Sequence, residues 1–463
     1  MRNVTSRWSC TWVLSLLVGP IVWPLAASQA ADETAAAPVC TEAPQFVELF
    51  NGRDLTGWAP INVAADTFFV RDGMIVTNGE PTGLMRTDRM YENFILELEW
   101  RHLREGGNSG VFTWSDGLPA LGGPFPRGIE VQVLDPGYAK NPGANEWFTT
   151  HGDIFPVRGA TMTTTGRVSK TGARSFPTED RTKPSPEWNH YRLVADRGEL
   201  RLSVNGKEVT VGKDCVPRRG YLCLEAEGSE CHFRNLRIKE LPSSNTPPEQ
   251  TANPYEGFLP LFNGKDFGGW RVDEAASSVW AVRGSNFVSK GGVKGRGLDL
   301  WSEKSYRDFV LCVDWRLAKK PELRPLPTFT ADGLYARDAQ GQILRKEIPH
   351  AGDSGIFLRG DGRYQVNIWS QPMGSGDINE MHKDEKLPAE LRRAMLPKVK
   401  ADAPFGKWNR FFITLRGDRV TVVLNDQTVI ENCQLPGIAP EGPLALQYHG
   451  DELEFTNLYI REL

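Results

Sequence analysis

Two short strings in the first half of this chain carry side chains suited to proton transfer. In Gly128-Ile129-Glu130-Val131-Gln132-Val133-Leu134-Asp135 an extended backbone puts Glu130 and Gln132 on one face and Ile129, Val131 and Val133 on the other. Leu224-Glu225-Ala226-Glu227-Gly228 likewise places Glu225 and Glu227 side by side. A strand with apolar residues behind and acid or amide groups in front suits the floor of a polar cleft. Carboxylates gathered there can serve as general base and general acid. The plainer alternatives are a solvated outer face for the first string and hairpin-tip charges for the second. Two loops add polar groups: Gly107-Asn108-Ser109-Gly110, small enough for close approach to a ligand, and His151-Gly152-Asp153-Ile154.

Each of these strings has an altered echo further along. Gln365-Val366-Asn367 answers Glu130-Val131-Gln132, and Leu446-Gln447-Tyr448-His449-Gly450 answers the Glu225 string without a gap. Asp353-Ser354-Gly355 answers Asn108-Ser109-Gly110, and Ser375-Gly376-Asp377-Ile378 answers the His151 loop. The framework repeats as well. Leu49-Phe50-Asn51-Gly52-Arg53-Asp54 recurs as Leu261-Phe262-Asn263-Gly264-Lys265-Asp266, with Trp58 and Trp270 at the same distance. Glu187-Trp188-Asn189 matches Lys407-Trp408-Asn409, and Phe233-Arg234-Asn235-Leu236 matches Phe455-Thr456-Asn457-Leu458. A whole domain is duplicated, so differences in polar residues between the copies point to differences in function.

The elements that must hold these side chains are strands. Phe94 to Trp100, Tyr191 to Ala195 and Leu200 to Val204 alternate with period two, as do Phe411 to Leu415 and Val420 to Leu424. Asn205-Gly206 and similar pairs separate them as hairpin turns. Many short strands with frequent turns predict a sandwich or jelly roll, so the chain reads as all-β. The one helical stretch is Pro388 to Leu396. Extra loop in the second copy, between Leu317 and Ile348, is expected outside the core.

The 463 residues divide as a leader at 1–30, a linker at 31–44, a first domain at 45–241, a proline-rich connector at 242–254 and a second domain at 255–463. Arg2, Arg7, the apolar stretch from Trp12 to Ala27 and Ser28-Gln29-Ala30 have the order of a cleaved secretory signal, so a secreted or periplasmic protein with no membrane span after cleavage is expected. A net charge of −4 without a basic run argues against nucleic acid. Export permits disulfides, and a bridge between Cys223 and Cys231 across a turn is one expectation. No spacing suggests a zinc site.

As a set, the Phe-Asn-Gly-Arg/Lys-Asp motif with its Gly-Trp, Asn/Asp-Ser-Gly, Glu-Val-Gln or Gln-Val-Asn, Gln-Tyr-His-Gly and Phe-Arg-Asn-Leu-Arg-Ile resembles the 3-keto-disaccharide hydrolase domain family. The resemblance covers both copies. It implies two tandem concanavalin-A-like jelly-roll domains, a site on the concave face and hydrolysis of glycosides oxidised at C3. A C3 ketone acidifies the C2 hydrogen and lies β to the glycosidic oxygen, so one base, an enolate stabiliser and one acid suffice. On this reading Glu130 is the base of copy one, and Glu227 or His151 the acid. His449 is the titratable candidate of copy two. Asn108, Gln132, Glu225 and Asp153 in copy one, with Asp353, Gln365, Asn367, Asp377, Gln447 and Trp369 in copy two, would bind the oxidised glycoside or oligosaccharide. No cofactor is implied, although Asp353 and Asp377 would suit a divalent cation such as calcium. Copy two departs from the family's Glu-x-Gln and copy one from its Gln-x-His. A lectin-like module that binds sugar without cutting it competes with the enzyme, and a structural surface protein is a third reading.

Overall fold

The structure, a computed structural model, describes residues 45–293 and 297–463. The leader and linker expected at 1–44, with Cys10 and Cys40, lie outside them. The described residues are nearly all β, in two tandem sandwiches.

In the first copy, Phe94–His102 runs antiparallel between Asn189–Asp196 and Cys231–Glu240 in a nine-stranded sheet. Every second side chain of Phe94–His102 is buried, as the alternation requires. Between them lies a half-buried charge ladder in which Glu97 and Glu99 meet Arg192, Arg237 and Arg234. The second sheet, of eight strands, sets Asn108–Ser115 between Gly128–Leu134 and Tyr221–Ala226. Leu96, Leu98 and Trp100 from one sheet pack on Val111, Ile129, Val131 and Leu224 from the other. The face turned away from this core carries Phe112, Tyr221 and Cys223. Both central residues of the Asn205-Gly206 turn have positive φ, 47° and 87°, which asparagine and glycine tolerate best.

The second copy repeats the plan. Phe309–Leu317 lies between Asn409–Arg416 and Leu453–Glu462. Opposite it, Ser354–Leu358 lies between Asp361–Ile368 and Gly442–Leu446 in a sheet of five strands. The expected helix appears as Ala389–Ala394. Two more short helices, Glu274–Val279 and Asn379–His382, span too few residues to show helical periodicity in the sequence. The extra loop makes a mostly exposed hairpin of Glu322–Pro327 with Arg345–His350. Its tip returns to the domain, where Phe329 packs on Trp369 and His382.

The Cys223–Cys231 bridge does not form; both thiols are free and buried. They lie in different sheets, with Cys231 in the inter-sheet core and Cys223 on the opposite side of its own sheet. No turn can close that separation.

The two copies pack together within one compact unit. Asp314 is fully buried at their junction. It accepts from Arg410 Nε at 2.6 Å, from Asn457 Nδ2 at 2.7 Å and from the first copy's Gly122 amide at 2.8 Å. Arg410 and Asn457 also donate to the carbonyls of Pro119 and Ala120 at 2.9 and 3.0 Å. Leu118 packs beside Cys312 and Tyr459. The connector is not slack: Ser243, Ser244 and Thr246 all donate to the Glu92 carboxylate, and Asn253 donates its amide to Asp116. Among the described residues no helix is long and apolar enough to cross a membrane.

Candidate active site

Register brings the two polar strings of the first copy together. Gly110 pairs with Gln132 on one neighbouring strand and Phe112 with Glu130; on the other, Leu224 pairs with Val111, which brings Glu225 beside Gly110. Gly110 leaves open the space over its own backbone, and the carboxylates use it. A Cβ there would lie 2.7 Å from Glu225 Oε2 and 2.9 Å from Glu130 Oε1. The hairpin-tip alternative for Glu225 and the solvated-face alternative for Glu130 are overturned, since both side chains are buried.

A directed chain of hydrogen bonds surrounds them. Arg174 Nη1 donates to Gln132 Oε1 at 3.0 Å. Gln132 Nε2 donates to Asn108 Oδ1 at 3.1 Å, and Asn108 Nδ2 donates to Glu227 Oε2 at 2.5 Å. Starting from a group that can only donate and ending on one that accepts, the chain fixes both amide orientations. From the opposite sheet the Tyr191 hydroxyl donates to the Gln132 carbonyl at 2.8 Å. The Arg174 guanidinium lies over the Phe155 ring, 3.5 Å from its centre, with Asp153 Oδ2 3.8 Å away. Asp153 is fully buried and accepts from the Thr149 amide and hydroxyl.

Burial of several acids around one arginine moves their protons. Desolvation raises Glu130 to about 8, offset by Arg174 and reinforced by Glu227 and Asp153. Glu225 is raised well above the ordinary carboxylate range by burial and then by Glu130 and Glu227, and its Oε2 has no hydrogen-bond partner. Burial also raises Glu227, against the Asn108 hydrogen bond and Arg174, and raises Asp153 to about 6. At neutral pH the cluster therefore holds protons as well as negative charge.

These groups line a cleft of about 360 Å³, walled by Phe125, Tyr138, Phe148 and Phe155. Among the described residues Arg174 is the one cationic side chain in that lining, and it was not anticipated from sequence. It comes from a loop, outside the alternating strands. Tyr138, in the short 3-10 helix Pro136–Lys140, and Phe148, edge to face with it at 5.6 Å, were missed as well. His151 lies outside the lining, its Nε2 3.6 Å from Asp180 Oδ2, with burial lowering its pKa.

The second copy keeps the scaffold and changes the chemistry. Ser109 Oγ donates to the Glu225 carbonyl and Ser354 Oγ to the Gln447 carbonyl, each at 2.8 Å, so the two strings occupy equivalent places. Where Glu130 and Glu225 meet in copy one, Gln365 Nε2 donates to Gln447 Oε1 at 2.8 Å and to Asn367 Oδ1 at 3.0 Å. Where Asn108 donates to Glu227, the Asp353 carboxylate lies 3.6 Å from His449 Nδ1, with His449 largely exposed. Burial raises Asp353 to about 6, against the charges of His449 and His350. Asp377 is buried beside His382 at 3.2 Å, under the insertion, whose Gly333 carbonyl lies 2.7 Å from His382 Nδ1. Trp369 is buried, its indole nitrogen donating to the Gly374 carbonyl at 3.1 Å, so its ring belongs to the packing beneath the insertion. Among the described residues no three His, Cys, Asp or Glu side chains converge as metal ligands would.

Comparison with known proteins agrees with the duplication. The family model of the 3-keto-alpha-glucoside-1,2-lyase-like domain matches residues 45–239 and again 257–461. A 3-keto-disaccharide hydrolase of Bacteroides thetaiotaomicron is 24% identical over 276 residues, covering 50% of this chain and 86% of its own. Among solved structures, a proposed glycosyl hydrolase of Parabacteroides distasonis is 23% identical, covering 42% of this chain and 94% of that one, with a TM-score of 0.32. The β-glucanase of Bacillus licheniformis is 14% identical, covering 44% and 100%, with a TM-score of 0.27.

Proposed function

The chain belongs to the family of 3-keto-alpha-glucoside-1,2-lyase-like domains, which it carries twice and which places it among carbohydrate-directed hydrolase-like proteins, and from that premise we propose that its first domain cleaves 3-keto-glycosides. The observation that carries this reading is the meeting of Glu130 and Glu225 over Gly110, beside the cleft's one cation.

Glu130, when ionised, takes the C2 proton, and the electron pair moves to the C3 carbonyl oxygen. Arg174 faces the cleft as the positive charge that such an enolate needs. Its contact with Gln132 fixes it in place in advance. The enolate then re-forms the ketone and expels the C1 substituent, whose oxygen takes a proton from Glu225. Water adds to C1, giving its proton to the Glu225 carboxylate, while C2 recovers a proton from Glu130. Both acids return to their starting states. The separation of roles follows from environment: Glu225, with an unpartnered buried oxygen, holds its proton more tightly than Glu130, which Arg174 favours as the anion.

The second domain has amides at both carboxylate positions, and these amides bind one another. That supports a domain that binds or shapes rather than cuts. The leader-like residues 1–30 support export to the periplasm or beyond. Release of 3-keto-glucose from a 3-keto-glucoside, followed by mass spectrometry, tests the reading. Sugar binding by calorimetry without release would replace it with the lectin-like one.

A further inference from the structure

A second groove, of about 530 Å³, runs between the domains. From the first domain it takes Asn62, Gly122, Phe125 and Glu227, and from the second Asn286, Arg316, Trp408 and Thr456. Phe125 and Glu227 also line the carboxylate cleft, so the two spaces share a wall. We propose that this groove is the leaving-group subsite of the first domain's reaction, with the second domain supplying Trp408, Arg316 and Asn286 to hold the departing sugar. The proposal rests on the reaction assigned above and adds to it a role for the second copy.

One residue of the groove, Thr456, stands where the first copy has an arginine, Arg234, while Trp408 and Arg316 match Trp188 and Arg101. In copy one two guanidinium groups lie over the Trp188 ring, Arg101 at 4.6 Å and Arg234 at 3.8 Å. Copy two keeps the first partner, with Arg316 4.8 Å from the Trp408 ring, but puts Thr456 in place of Arg234. The shorter residue lines the groove. Trp408 reaches the other domain at Gly122, where a Cβ would lie 2.1 Å from the indole; its φ of 66° also favours glycine. Arg316 is anchored by Glu454 at 2.6 Å, so its orientation is set before any ligand arrives. The buried Asp314, Arg410 and Asn457 contacts hold residues 119–123 in place. An aromatic wall beside amide, hydroxyl and guanidinium groups suits a hydroxylated ring: an apolar face to stack on and donors and acceptors for its hydroxyls.

The experiment uses the full chain and two substrates with the same oxidised ring, a 3-keto-disaccharide and methyl 3-keto-glucoside. Trp408→Ala and, separately, Asn286→Ala should lower kcat/KM on the disaccharide about tenfold more than on the methyl glycoside. Asn286→Ala alters a partly exposed side chain, and turnover of the methyl glycoside by each variant reports its folding. Equal effects on both substrates, or none on either, overturn the subsite. If the wild-type protein turns over neither substrate, the reaction itself is overturned and the subsite with it.

Discussion

Glu130 and Glu225 reach from opposite neighbouring strands to within 3 Å of one point, the place where any side chain on Gly110 would begin. Ordinary sandwich faces keep such acids apart in water. Here both are buried, and among the described residues Arg174 is the only cation lining the cleft with them.

Glu130→Gln should lower kcat/KM on a 3-keto-glycoside by about 10²–10⁴-fold, the usual contribution of a general base. The amide is nearly isosteric, so the melting temperature at pH 7 should hold or rise. Paired kinetics and thermal melts check this.

The rate should depend on pH through the same group. The base works ionised and its pKa is raised to about 8, so kcat/KM should climb with pH and level off above about 8. Stability should run the other way. The folded protein keeps a proton that the unfolded chain releases near its ordinary value of 4.5, so stability falls as the pH rises from there to about 8. Glu130→Gln should flatten that slope in melts recorded from pH 4.5 to 9.

Gly110→Ala should cost activity without unfolding the domain. The new methyl would displace both carboxylates, and a shift of about 1 Å in reacting groups costs on the order of 10²-fold. Normal circular dichroism with retained turnover would contradict the placement of the acids.

Arg174→Ala should lower kcat more than it raises KM, because the charge it meets develops only in the transition state. A loss of about 10²–10³-fold is expected. Steady-state kinetics separate the two constants.

Asp314→Ala should destabilise the junction by about 3–5 kcal/mol, since it strips a buried arginine of its partner. Chemical denaturation of the full chain measures this.

Much of this arrangement was legible in the sequence, for physical reasons. Period-two alternation put Glu130 and Gln132 opposite Ile129 and Val131, and the internal repeat fixed the register of Glu225 against Gln447. Arg174 was not legible, because a loop residue carries no periodicity. His151 looked suitable by type, yet its turn directs it to Asp180. The Gly122–Trp408 contact lies between copies, where neither repeat predicts the other. The Cys223–Cys231 pairing failed because closeness in sequence says nothing about which side of a sheet a thiol occupies.

The connector fastened to Glu92 and the junction around Asp314 bear on cooperativity. A break in the peptide chain between residues 242 and 254 would leave the halves associated, and a half expressed alone would present Leu118, or Cys312 and Tyr459, to water. The chain is written twice, yet the buried junction predicts that it melts once, in a single calorimetric transition with no separate event for either repeat.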